Sequence, residues 1–267
     1  MLEIYNSSFN LIKSGFNYED MLSNFCSFAD RVTIAINTSE DGTFEALNEW
    51  GKKNAPNKLN LIKTAFEYSD LCFDGKIKNA ALEACREDYC ILLDADERIN
   101  PSDRPKWEVY ARALGKDQKI DALLVPVIDL CRDFHNYKCI NSKWYLHKNN
   151  RGIKRGIVDF AKLANGKIDT ERSDTCEAIY EDGSLVRAAL IINPRLSNED
   201  KISILKNQGV PFVWHTGWVD YEHRLKINEF WKTTLENRSG KTENNIILKI
   251  EELQKILIYP HDLPLWK

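Results

Sequence analysis

The first half of the chain alternates between short apolar runs and segments with helical periodicity. The apolar runs predict β-strands at Leu2–Tyr5, Arg31–Asn37, Leu59–Lys63 and Tyr89–Leu93. Apolar residues spaced three and four apart predict helices at Tyr18–Phe28, Thr43–Lys53 with Thr43 as its cap, and Ile77–Arg86. Strands and helices that alternate in this order predict an α/β fold with a mostly parallel sheet and helices on both sides.

The second half begins with the same pattern and then loses it. A helix at Pro105–Leu114 and a strand at Ala122–Ile128 are predicted, and the polar stretch to about Pro211 is expected to form irregular loops that build a site. Apolar stripes predict two terminal helices, Tyr221–Arg238 and Glu243–Leu257. We therefore expect one domain at 1–220, divided near residue 128, followed by a C-terminal helical extension at 221–267.

Composition excludes several classes of protein. The 267 residues carry 37 basic and 40 acidic side chains, a net charge of −3, and 43% are apolar, which is typical of a soluble protein with a sizeable core. The longest apolar runs, Ala122–Ile128 and Ala188–Ile192, fall short of the roughly 20 residues that a membrane-spanning helix needs. The N-terminus lacks the features of a secretory signal, and seven cysteines without a Cys-x-x-Cys pair fit a reducing compartment. A cytoplasmic location is the default expectation.

One group of residues is spaced like a metal site. Cys131, His135 and Cys139 lie four residues apart and would share one face of a helix. A fourth ligand is missing, however, and the preceding Val-Pro-Val-Ile run is typical of a strand. Buried, unreactive thiols are therefore the favoured interpretation.

Positive charge is concentrated between Arg132 and Lys167. This segment has nine basic and two acidic side chains, a local net charge of +7, with five aromatic residues interleaved. The combination suits a phosphorylated or ring-bearing ligand, and a solvated loop face explains the charge equally well.

Three carboxylates directly follow the most apolar of the early strands. They belong to the segment Asp94-Ala95-Asp96-Glu97, and ligands of open parallel sheets bind beyond the carboxyl ends of the strands. Carboxylates this close repel one another unless a cation neutralises them, and oxygen ligands suit Mg²⁺ or Mn²⁺. An acidic turn that caps the next helix is the alternative, and the position after a buried strand favours the metal.

Four segments together resemble a known family. Ile91–Glu97 resembles the Asp-x-Asp segment of family 2 glycosyltransferases with the GT-A fold, in particular the LDADE-type bacterial lipopolysaccharide-core glucosyltransferases. The segments 38–43 (TSEDGT), 78–82 (KNAAL) and 215–218 (HTGW) are similar to the family's GSTDGT turn, ARNxAL helix and HxGY motif, in the family's order. The resemblance covers residues 1–100 and 205–235, and residues 130–205 are matched poorly.

The resemblance implies a metal-dependent, inverting transfer of a sugar from a nucleoside diphosphate sugar, most simply a UDP-sugar. Asp96 would be the direct metal ligand, Asp94 a ribose or metal contact, and His215 a third ligand of Mn²⁺ or Mg²⁺. A structural histidine is the alternative for His215. Further residues near the nucleotide sugar would be Tyr5, Asn6, Asn37, Lys76, Lys78 and Asn79, and Asn37 stands where relatives carry an aspartate.

The catalytic base and the acceptor are left open by the sequence. Glu177, in a segment similar to the family's HE motif, is preferred as the base over Asp159. The acceptor is either a cell-envelope saccharide or a hydroxymethylated base in phage DNA, and the residues expected to meet it are Lys143, Trp144, Arg151, Lys154 and Arg155. Two other functions remain: a nucleotidyltransferase, which usually needs a glycine-rich triphosphate loop that is absent here, and a non-catalytic binding module.

Overall fold

The computed structural model describes residues 1–8, 10–38, 40–67, 73–149, 153–155, 178–180, 186–220 and 258–266, with 153–155 and 178–180 described by their backbone. Its helices are α1 Tyr18–Phe28, α2 Thr43–Asn54, α3 Phe73–Glu83, α4 Arg104–Lys116 and α5 Asn198–Asn207. Its first strands are β1 Leu2–Ser8, β2 Arg31–Asn37, β3 Leu59–Thr64, β4 Tyr89–Leu92, β5 Glu97–Arg98 and β6 Ala122–Cys131. The others are β7 Asn136–Lys148, β8 Ile153–Arg155, β9 Ala178–Tyr180, β10 Ala188–Leu190, β11 Val213–Trp218 and β12 Tyr259–Pro260.

Ten of the described strands form one mixed sheet, with the order β3-β2-β1-β4-β7-β6-β11-β5 and with β10 paired to β6 and β12 to β7, and β8 pairs with β9 in a second sheet. The first four strands are parallel, β7 runs antiparallel between β4 and β6, and β11 is parallel to β6. Apolar side chains of α1, α2 and α4 join the largest core on one face, and those of α3 join a second core on the other. The predicted α/β class, with a mostly parallel sheet flanked by helices, is confirmed.

The predicted elements of the first half are confirmed with small shifts at their ends. Strand β2 and helix α1 match the prediction residue for residue, because their periodicity is uninterrupted. The cap of α2 was predicted wrongly: the N-cap is Gly42, whose φ of 78° suits glycine, and Thr43 is already helical. The carboxylate of Asp41 accepts the Thr43 N–H at 3.0 Å and the Lys13 N–H at 3.0 Å, so a neighbouring acid takes the capping role.

The prediction of an irregular middle was wrong over β7 and α5. Strand β7 is 13 residues long and pairs on both sides, yet its sequence carries three lysines. Each lysine ammonium lies near an acid of another segment: Lys138 near Asp129, Lys143 near Glu97 and Lys148 near Asp121. In the sequence these lysines resemble the charges of a solvated loop, because their acidic partners come close only in the folded protein. The strand was therefore predicted to be irregular.

The chain end that is described packs on the sheet. Strand β12 pairs antiparallel with β7, and the buried Leu263 and Trp266 join a core with Trp214. The terminal helices predicted at 221–238 and 243–257 lie outside the described residues, so the division of the chain near residue 220 stays a prediction. Among the described helices, none is long and apolar enough to cross a membrane.

An ion pair joins the start of the sheet to α4. The carboxylate of Asp30 accepts the Leu2 N–H at 2.9 Å and an Arg104 N–H at 2.6 Å, and Arg104 also donates to the Phe28 carbonyl at 2.8 Å. Partial burial acts to raise the pKa of Asp30, but the hydrogen bonds from Arg104 and Leu2 outweigh it and lower the pKa.

We expect Asp30→Asn to destabilise the protein by about 1 kcal/mol at pH 7, a modest loss because both partners are partly exposed. Since the folded pKa is depressed, the contribution is present above the unfolded value of about 3.9 and is lost as pH falls through the folded pKa. Urea unfolding of the wild type and the variant at pH 7 and pH 3 measures this difference. Glu108→Gln, which removes the solvent-side partner of Arg104, is the matched control, and a difference as large at pH 3 as at pH 7 would contradict the assignment.

Candidate active site

The acidic segment after β4 turns directly into β5, which pairs with β11. Strand β11 in turn lies parallel to β6, so the loop at 94–96 is held between β4 and the far half of the sheet. Thr216 fastens it, because its N–H and hydroxyl donate to the Asp96 carbonyl at 2.7 and 2.8 Å. The loop therefore lies at the carboxyl edge of the parallel strands, where open α/β sheets bind ligands.

Glu97 points into the protein and is fully buried. Its carboxylate accepts the Asp94 N–H at 2.8 Å, the Lys143 ammonium at 2.9 Å and the Tyr145 hydroxyl at 2.5 Å. Among the neighbouring carboxylates of Asp94, Asp96 and Glu97, the charge of Glu97 is therefore balanced by partners within the fold. Asp94 and Asp96 remain as candidate ligands.

Asp94 lies beside two lysines. Its oxygens are 3.3 Å from the Lys78 ammonium and 3.9 Å from that of Lys143, and Lys78 is buried on α3. Burial acts to raise the pKa of Asp94, but the two ammonium groups outweigh burial and lower it below its usual value. Asp94 is therefore a carboxylate at neutral pH, held at the mouth of the sheet by two cations.

Asp96 and Asp129 hold His215 from opposite sides. The imidazole Nε2 is 3.1 Å from Asp96 Oδ2, and Nδ1 is 2.7 Å from Asp129 Oδ1. Strand register creates the arrangement, since His215 is paired with Asp129 on β6 and with Glu97 on β5. Burial acts to lower the pKa of His215, but the two carboxylates outweigh it and raise the pKa to about 10.

Gly217 borders this pair closely. A Cβ at this position would lie 2.5 Å from Asp96 Oδ2 and 2.9 Å from His215 Nε2, so the neighbouring side chains leave space for a hydrogen atom alone. The backbone at Gly217 therefore packs directly against these two polar atoms at the sheet edge.

Asp96 and His215 offer one oxygen and one nitrogen of the types that bind divalent cations, which are fewer ligands than a closed protein site has. Among the described residues, no three potential ligands converge. Asp96 Oδ2 and His215 Nε2 are 3.1 Å apart, close to the separation of about 3 Å between adjacent ligands at octahedral bond lengths near 2.1 Å. Cations bound through one or two protein ligands plus substrate phosphates are typical of phosphate-handling sites.

Three residues predicted at the nucleotide sugar are buried and bonded inside the fold. Tyr5 pairs its hydroxyl with His147 Nε2 at 2.9 Å. Asn6 donates to the Leu93 carbonyl at 2.6 Å. Asn37 brackets the Phe66 backbone, donating to its carbonyl at 3.0 Å and accepting its N–H at 2.8 Å. These side chains join the ends of neighbouring strands beneath the site.

The other predicted site residues lie on α3, β7 and β8 or outside the residues that the structure describes. Lys76 is partly exposed and Asn79 is buried on α3. Lys143 lies at the acidic loop, Trp144 lies in β7, and Lys154 and Arg155 lie in β8. Glu177, Asp159 and Arg151 lie outside the described residues, so the identity of the catalytic base stays a prediction.

Cys131 is buried, as the sequence indicated, and Cys139 is only half-buried. Cys131 is buried at the end of β6, and Cys139 on β7 donates to Asp129 Oδ2 at 3.0 Å rather than sharing a helix face. Burial and the Asp129 carboxylate raise the pKa of Cys139 to about 12, and burial raises that of Cys26 to about 11. Both are protonated at neutral pH, which is typical of unreactive cysteines.

Sequence reasoning missed two features at this edge of the sheet: Asp129, and the buried role of Glu97. A signal existed for Asp129, since it is the single charge in the apolar run from Ala122 to Cys131. A charge within a buried strand indicates a partner elsewhere in the fold. No local signal separates Glu97 from Asp96, because the difference depends on Lys143 and Tyr145.

Comparisons with known proteins find weak likenesses in chain path. No protein-family model and no curated protein sequence matches this chain. S. aureus TarS 1–349 is 12% identical, with a TM-score of 0.43 over 96% of this chain and 68% of that one. Mannosyltransferase PcManGT from Pyrobaculum calidifontis, in complex with GDP-Man and Mn²⁺, is 14% identical, with a TM-score of 0.43 over 95% and 68%. Likenesses at this level carry no argument about what this chain does.

We expect Glu97→Gln and Lys143→Met each to destabilise the protein, the first by about 3 kcal/mol, because each leaves a buried or half-buried charge without its partner. The double variant should lose less than the sum of the two, since it removes both charges together. Urea unfolding of the four proteins measures this coupling.

Tyr145→Phe is the matched control for this cycle, because it removes one of the three hydrogen bonds of Glu97 and leaves the ion pair in place. An unchanged free energy of unfolding in Lys143→Met would contradict a structural role for this lysine. It would instead favour the role in acceptor binding that the sequence predicts for Lys143.

Proposed function

We propose that this protein is a glycosyltransferase that takes a sugar from a nucleoside diphosphate sugar, with the diphosphate bound beside Asp96 and His215. The observation that carries the proposal is the convergence of these two donors with Asp94 and Lys78 at the carboxyl edge of the parallel strands. The four-motif resemblance to family 2 glycosyltransferases supports it.

Each side chain has a defined part in this proposal. Asp96 and His215 would hold Mn²⁺ or Mg²⁺, which when bound supplies a Lewis acid to the departing diphosphate. Asp94, kept ionised by Lys78 and Lys143, would accept hydrogen bonds from ribose hydroxyls. Lys78 adds fixed positive charge on the same side.

Transfer breaks the bond between the anomeric carbon and the diphosphate oxygen and forms a bond to the acceptor oxygen. The acceptor's proton passes to a carboxylate base, for which Glu177 and Asp159 are the candidates, and attack from the opposite face inverts the anomeric centre. A UDP-sugar is the proposed donor.

A saccharide is proposed as the acceptor in preference to DNA. The three β7 lysines of the basic segment each lie near an acid, which lowers the positive charge available to a phosphate backbone. A DNA acceptor instead requires affinity for duplex DNA that falls steeply with salt. Binding of hydroxymethylated duplex at low salt would therefore favour the DNA acceptor.

We expect one nucleotide sugar to raise the melting temperature in the presence of Mn²⁺ by roughly 5–10 °C at one hundred times its dissociation constant. Asp96→Asn should abolish the Mn²⁺-dependent part of this shift. Asp88→Asn, an exposed acid at the opposite end of β4, is the matched control and should behave like the wild type.

The possible results separate the candidate functions. The proposed metal site would be contradicted if the nucleotide sugar raised the melting temperature equally with and without Mn²⁺. It would also be contradicted if the Mn²⁺-dependent part of the increase persisted in Asp96→Asn. Metal-dependent binding without turnover of any donor and acceptor pair would favour a binding module. Release of diphosphate when the protein is given a nucleoside triphosphate and a sugar phosphate as co-substrates would identify a nucleotidyltransferase.

A further inference from the structure

Asp129 is a carboxylate in a strand that is otherwise apolar. Its neighbours Ile128 and Leu130 are fully buried, and its own side chain is 11% exposed. A carboxylate placed there is costly unless hydrogen bonds and charges compensate it. The question is what the side chain does at this position.

The contacts of Asp129 divide between its two oxygens. Oδ1 accepts the hydrogen bond from His215 Nδ1 at 2.7 Å. Oδ2 accepts from Cys139 Sγ at 3.0 Å and lies 3.7 Å from the Lys138 ammonium, which also lies 3.6 Å above the centre of the Trp218 ring. Lys138 and Cys139 therefore hold one oxygen, and the other is turned toward His215.

Each ring nitrogen of His215 faces a different carboxylate. Nδ1 donates to Asp129 Oδ1 and Nε2 donates to Asp96 Oδ2, 3.1 Å away, so the contact with Asp129 leaves Nε2 as the nitrogen on the Asp96 side. Histidines that bind metals are typically oriented in this way, by a carboxylate or carbonyl on the other ring nitrogen.

We infer that Asp129 is a positioning residue, which fixes the ring of His215 so that Nε2 and Asp96 share one divalent cation. The inference rests on the function proposed above, since it concerns the cation that binds with the diphosphate. It also explains why a carboxylate lies in register with His215 on the neighbouring strand. Asp129 itself touches neither the cation nor the substrate.

The test separates metal-dependent binding from the integrity of the fold. Affinity for UDP is measured by calorimetry with Mn²⁺ and with EDTA, and the ratio of the two affinities reports the cation alone. In Asp129→Asn this ratio is expected to fall 10–100-fold, the range typical of losing such a partner. Affinity for UDP in EDTA should stay unchanged.

Two further variants sharpen the comparison. Lys138→Met removes a partly exposed charge from the other oxygen of Asp129 and should change the ratio less than about fivefold. Asp129→Ala, which also removes the acceptor atom, should lower the ratio at least as far as Asp129→Asn. A slowly exchanging Nδ1 proton of His215, observed by NMR without metal, should be present in the wild type and absent from Asp129→Ala.

Each outcome decides the inference. An unchanged ratio in Asp129→Asn, beside a Mn²⁺-dependent wild type, overturns it and leaves the proposed function intact. Equal losses of UDP affinity with Mn²⁺ and with EDTA also overturn it, because they indicate a structural role. A wild type whose UDP affinity does not respond to Mn²⁺ overturns both this inference and the proposed cation.

Discussion

The buried carboxylate of Glu97 is the constraint on which the rest of the site depends. It ties the loop after β4 to the lysine and tyrosine of β7 through three hydrogen bonds, two of them from side chains of one strand. Because a buried charge must be fully compensated, the loop has little freedom to move away from β7. Asp94 and Asp96 are presented at the sheet edge as a consequence.

Strand β7 supplies lysine side chains that neutralise acids on neighbouring segments. Its lysines lie five residues apart, and each reaches an acid on a different segment. Three lysines of the +7 segment thus neutralise acidic side chains that belong to other segments of the protein. The same pairing joins the parallel half of the sheet to β6 and the strands beyond it, so charge compensation and sheet continuity are linked.

Gly217 packs directly against the side chains of Asp96 and His215. A Cβ at this position would lie 2.5 Å from Asp96 Oδ2 and 2.9 Å from His215 Nε2, and strand register sets where His215 stands. His215 lies between the carboxylates of Asp96 and Asp129, which outweigh burial and raise the pKa of its imidazole.

The sequence by itself determined the alternation of strands and helices from Leu2 to Ile128 and the position of two acidic candidate ligands after β4. These features depend on local periodicity and on the polar residues that end each strand, which neighbouring residues encode. The tertiary structure decided that β7 is a strand, that Glu97 is an anchor, and that Asp129 meets His215 from 86 residues away. Such contacts depend on strand order, register and the pairing of distant charges, and none of these leaves a pattern within a short stretch of chain.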